Sequence, residues 1–80
     1  MTELPPSVIE AALEWCRQRE YDPGKDYRAV FVPKGHEFNL SEDARDLWYI
    51  FFYPEAMKKF VTNFFVLVVD PYTLQVENLG

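Results

Sequence analysis

The stretch from Leu47 to Val69 limits this chain most. It reads Leu-Trp-Tyr-Ile-Phe-Phe-Tyr, then Pro54 and a polar gap through Lys58 and Lys59, then Phe-Val-Thr-Asn-Phe-Phe-Val-Leu-Val-Val. Two runs rich in aromatic and β-branched residues, separated by a proline and charges, predict neighbouring strands. Neither run alternates cleanly between apolar and polar residues, so both faces of the resulting sheet need cover.

The rest of the chain offers one helix for that purpose. Ser7 with Glu10 three residues later reads as a capping box after Pro5-Pro6. It predicts a helix from Val8 to Arg19 or Glu20, with Val8, Ile9, Ala12, Leu13 and Cys16 on one apolar stripe and Trp15 flanking it. Tyr21-Asp-Pro-Gly-Lys-Asp ends the helix in a turn built on Pro23 and Gly24.

A first strand is expected over Tyr27–Val32, with Tyr27, Ala29 and Phe31 on one face. A long irregular segment follows over 33–46. Its anchors are Phe38 and Leu40, and a single helical turn after Ser41 fits its sequence. The second strand, Leu47–Tyr53, points Trp48, Ile50 and Phe52 one way and Leu47, Tyr49, Phe51 and Tyr53 the other. The third is expected over Val61–Val69. Asp70-Pro71-Tyr72-Thr73 then turns the chain into a short strand, Leu74–Glu77.

Short connections favour hairpins over crossovers. The expected fold is a single α+β domain over residues 1–80. An N-terminal helix packs on a curved three- to four-stranded antiparallel sheet, a cystatin-like layer.

A chain of 80 residues buries only about 60% of its unfolded surface, which leaves little room for an enclosed pocket. Yet 18% of it is aromatic, more than one helix on a sheet can hide. The formal charge of −5 disfavours nucleic acid, whose phosphates select basic surfaces. A single cysteine, Cys16, rules out an intrachain disulfide. The apolar runs are too short to span a membrane and the start carries no secretory pattern, so a cytoplasmic location is expected.

Chemistry-bearing residues are sparse. His36 is the lone histidine and reads as an exposed loop residue, because zinc recruits several Cys and His. Cys16 falls on the apolar stripe and reads as a buried, inert thiol. Glu37, Glu42, Asp43 and Asp46 lack the alternating ligands and central glycine of a calcium loop. They read instead as a solvated acidic loop, with an electronegative rim that meets a basic partner as the second reading. Lys58-Lys59 beside aromatics is better explained as charge that keeps a hydrophobic hairpin in solution than as a single-strand-binding surface. Gln75-Val76-Glu77 lacks the spacing and glycine of the cystatin inhibitory loop.

Trp48-Tyr-Ile-Phe-Phe-Tyr53, followed by Val66-Leu-Val-Val-Asp70, a turn, and Val76-Glu-Asn-Leu79-Gly80, resembles the YrhB-like small bacterial immunity-type proteins. The resemblance covers residues 44–80 and the helix in outline. The chain departs from the family pattern at Asn63-Phe64-Phe65 and at Pro71-Tyr72-Thr73-Leu74, where the family tends to carry glycine. The resemblance implies binding and neutralising a partner protein, and it brings no catalytic residues.

The sequence therefore points to a non-enzymatic protein-binding domain without a cofactor. Its partner is another protein or a second copy of itself, through Trp48, Tyr49, Phe51, Tyr53 and Phe64, with the acids of 37–46 as rim. The alternatives are an accessory subunit of a larger assembly, or a small-molecule-binding cystatin-like domain with a pocket around Trp15 and His36; the aromatic residues equally fit an ordinary thick core under the helix and the 33–46 loop.

Overall fold

The structure is a computed structural model, and it describes residues 3–37, 45–54 and 64–79. One helix, α1 (Pro6–Gln18), lies on a four-stranded antiparallel sheet of β1 (Tyr27–Val32), β2 (Leu47–Phe52), β3 (Phe65–Val69) and β4 (Val76–Asn78). The strands lie side by side in chain order, which is the α+β meander expected from the short connections.

Helix α1 starts earlier than the capping box implied. Pro5 is the N-cap with extended backbone, φ −66° and ψ 140°, and no side chain caps the end. Its carbonyl accepts from the Val8 amide at 3.1 Å. Pro6 is the reason: its ring presets the helical φ and, as the first helical residue, it lacks the N–H that would otherwise be an orphan donor. The C-terminus closes in a Schellman arrangement. Tyr21 N–H donates to the Cys16 carbonyl at 2.9 Å and Glu20 N–H to that of Arg17 at 3.3 Å. Glu20 takes the left-handed position, φ 57°. This reversal delivers Tyr21 between Trp15 and Phe65, edge-on to both, at 5.1 and 5.8 Å between centroids.

The buried stripe of α1 is narrower than the apolar spacing suggested. Val8, Ala12 and Cys16 are buried, Ile9 packs at the margin, and Leu13 is 39% exposed. The stripe meets Trp48, Ile50 and Phe52 of β2 and Phe65, Leu67 and Val69 of β3. Registers of Ile50 opposite Leu67 and Phe52 opposite Phe65 bring these onto one face, and the two phenylalanine rings stack 5.3 Å apart. Burial of each such side chain contributes about 1.5–3 kcal/mol, so this layer carries most of the fold's stability. Cys16 lies inside it, and burial pushes its thiol above the ordinary range, with Asp22 adding to the effect.

Three strand limits differ from the sequence reading. β2 ends at Phe52, and Tyr53 instead makes an isolated parallel bridge with Gly24. β3 begins at Phe65, and the expected start at residues 61–63 lies outside the described residues. β4 is displaced to Val76–Asn78 because the turn is longer than the Asp-Pro pattern implied. Leu74 takes φ 62° and donates its N–H to the Asp70 carbonyl at 2.8 Å, so pairing resumes only where Gln75 accepts from Asp70 N–H at 3.0 Å. The anchors Phe38 and Leu40 and the turn after Ser41 also lie outside the described residues.

Candidate interaction surface

The strand registers define the face that α1 leaves uncovered. One row runs Val30, Tyr49, Val68, Glu77, and the next Arg28, Phe51, Val66. The Leu79 amide donates to the Val66 carbonyl at 3.0 Å and extends the second row. The middle is apolar and aromatic: Tyr49, Phe51 and Val66 are half-buried and Val68 is buried. Both margins are exposed, Val30 at 40% and Leu79 at 47%, together with Arg28 and Glu77. Phe64 packs on Phe51 at 5.6 Å and on Tyr53 at 6.1 Å, tilted against each. Four of the five aromatic residues singled out in the sequence therefore meet on this face.

Trp48 does not. Strand parity sends it to the opposite face, where it is 3% exposed and packs against Phe31 at 5.3 Å. It is a core residue beneath α1, and a surface argument cannot use it.

The acidic rim divides as well. Glu37 is exposed, whereas Glu42 and Asp43 lie outside the described residues. Asp46 is held in place. Its Oδ1 accepts from the Lys34 amide at 2.9 Å and its Oδ2 from the Tyr72 hydroxyl at 3.0 Å. Its neighbour Arg45 reaches the same turn, with Nη1 2.7 Å from Asp70 Oδ2. Two consecutive residues thus clasp the end of β1 and the β3–β4 turn to the entrance of β2. The pairs involved are 12 to 26 positions apart in sequence, so no local pattern announces them.

The clasp shifts two ionisations. The Lys34 amide first, then the Tyr72 hydroxyl, hold the Asp46 carboxyl below the usual range. The hydrogen bond to Asp46 pushes the Tyr72 phenol up. A lowered carboxylate adds stability above its unfolded value of about 3.9, lost as pH falls through the folded value. A raised phenol adds stability below about 10, lost as pH rises through its own folded value. Titration of the phenolate absorbance is expected to show one of the five tyrosines ionising late. Tyr72→Phe should remove that component and Asp46→Asn should bring it back towards the ordinary range. An unchanged curve in Asp46→Asn would mean that the bond does not persist in solution.

The pocket alternative finds less support. Shallow grooves flank α1, one lined by Leu13, Tyr21 and Leu74, the other by Trp15, Arg19 and Val76. His36 lines neither and sits in an exposed turn. Arg19 stacks over the Trp15 ring at 4.5 Å, which occupies the indole face. Among the described residues no three His, Cys, Asp or Glu converge as metal ligands, and no helix is long and apolar enough to cross a membrane. Comparison of the chain with protein-family models, with curated proteins and with solved structures finds no match.

Proposed function

We propose that this is a non-enzymatic, cytoplasmic protein-binding domain that engages another protein chain through the helix-free face of its sheet. The observation that carries this reading is the Tyr49, Phe51, Tyr53 and Phe64 set, half-buried and contiguous on a face that α1 does not cover. Tyrosine and phenylalanine present large, rigid area at low entropic cost, the composition of interface hot spots. A single buried cysteine suits a reducing compartment. Neutralisation of a partner, the role implied by the immunity-type resemblance, is the sharpest form of the proposal, and an accessory subunit of a larger assembly is a broader one.

The test compares proteins captured from the native host by the wild-type chain, by Phe51→Asp and by Leu13→Asp, an exposed helix position on the opposite side. All three should first give matching circular dichroism. A partner retained by Leu13→Asp and lost by Phe51→Asp is the expected outcome. An identical captured set for all three would remove the sheet face from the proposal.

A further inference from the structure

The two edges of the sheet are unlike. β4 is a three-residue edge, a short template, and α1 is laid over β2, β3 and β4. β1 is a six-residue edge outside that cover. Natural sheets blunt a long edge with proline, a bulge, several charges or an overlying helix. The strand Tyr-Arg-Ala-Val-Phe-Val carries Arg28 as its one charge, contains no proline and keeps an unbroken register with β2. Both its ends turn inwards: Gly24 bridges to Tyr53, and Lys34 N–H donates to Asp46 beside the start of β2.

Hydrogen-bond parity gives the outward groups of β1. Asp70 N–H donates to the Gln75 carbonyl and Leu79 N–H to that of Val66, so even positions along β3 bond to β4. Phe65, Leu67 and Val69 then bond to β2, and Tyr49 and Phe51 of β2 bond to Val30 and Arg28 of β1. Tyr27, Ala29 and Phe31 are left with N–H and C=O directed away from the sheet. Among the described residues no strand pairs with β1 on that side. The side chains of Tyr27, Arg28 and Val30 along it are exposed.

We propose that β1 is a docking edge and that its occupant is a second copy of the chain, paired β1 to β1 about a two-fold axis through Ala29. The contact uses the sheet's edge and stands apart from the aromatic face above. Identical strands related by such an axis run antiparallel. Ala29 then faces Ala29 and Tyr27 faces Phe31 twice, with about six inter-strand hydrogen bonds from the outward groups. On the other face Arg28 lies opposite Val30, where its aliphatic stem covers an exposed valine.

The neighbouring registers are excluded. The next one towards the N-terminus opposes Arg28 to Arg28, which is destabilising. The next one towards the C-terminus sets Tyr27 against Pro33, which has no N–H to donate. Asp26 and Lys34 are exposed beyond opposite ends of β1, so the antiparallel pair brings the acid of each copy beside the base of the other. Self-pairing also closes the assembly: the joined sheet ends at both sides in the short β4.

A single six-residue edge covers well under the about 800 Å² per partner of a standard interface, so the dimer is weak. Light scattering behind a sizing column, at about 10 μM and about 1 mM protein, should show the mass rise from one chain to two and stop there. Ala29→Pro removes an outward N–H and no ladder bond, and it should stay monomeric at both concentrations. Val30→Lys sets like charge opposite Arg28 twice and should raise the dissociation constant about tenfold. Val30→Glu sets opposite charge there and should lower it about tenfold. All three variants should keep the wild-type circular dichroism, and if Ala29→Pro loses it the two Val30 substitutions carry the test. One chain at both concentrations overturns the self-pairing. So does growth beyond two chains, a folded Ala29→Pro that still dimerises, or a pair of Val30 substitutions that move the affinity together or not at all.

Discussion

Gly24→Ala should cost about 3 kcal/mol, a large part of the roughly 4–12 kcal/mol that holds a domain of this size together. Gly24 has φ +75°, and a Cβ there would lie 2.8 Å from the Tyr53 carbonyl carbon and 3.1 Å from Pro54 Cα, with the Tyr53 oxygen closer still. The obstructing atoms are backbone, held by the Gly24–Tyr53 bridge at the end of β2, so they cannot swing aside as a flexible side chain would. The left-handed conformation alone costs an alanine about 1 kcal/mol, and the displaced bridge supplies the rest. Gly35 provides the control. It has φ +82°, but nothing lies within 4 Å of the added Cβ, so Gly35→Ala should cost only the conformational part. Urea unfolding of the two variants should separate them by about 2 kcal/mol. Equal midpoints would mean that the region around Gly24 yields at little cost.

Asp70→Ala should be of similar size, about 3 kcal/mol. Asp70 is 4% exposed, the buried charged residue among those described. Its Oδ1 accepts from the amides of Tyr72 at 2.8 Å and Thr73 at 3.3 Å, and its Oδ2 faces the Arg45 guanidinium. Alanine would leave two turn amides without their acceptor, at about 1 kcal/mol or more each, and would break a partly buried ion pair. Arg45 is 42% exposed on its side chain and can rehydrate, which keeps the loss below that of a fully enclosed pair. Asp70→Asn preserves the carbonyl oxygen that meets the amides and should cost about 1 kcal/mol, chiefly the charge. Thermal unfolding should rank wild type above Asn above Ala, with Ala lower in Tm by about 12–24 °C. Matched losses for Asn and Ala would shift the weight from the turn amides to the ion pair.

The parts that the sequence made legible are those governed by local period. Alternation along Leu47–Phe52 assigned each side chain of β2 to its correct face, Trp48 included, and the apolar stripe of α1 located its buried centre. Treating Trp48 as a surface residue went against that same parity, on the strength of its residue type alone. The limits that moved did so where one residue's backbone overrode a pattern. Pro6 displaced the Ser7 cap, and the left-handed Leu74 delayed β4 by two positions. The Arg45–Asp46 clasp was not legible, because it joins groups brought together only after the sheet has formed. Asp46 was chosen as a rim acid and proves instead to be engaged with Lys34 and Tyr72.

The order of the elements also bears on how the chain comes off the ribosome. The first element, α1, rests against β2, β3 and the last strand, β4. Residues 19–75 separate Gln18 from Val76, and at about 5–20 residues per second they take roughly 3–11 s to synthesise. Throughout that interval the Val8, Ala12 and Cys16 stripe has an incomplete bed. The helix must wait for the closing hairpin, so its stripe stays without its full bed until β4 has been made.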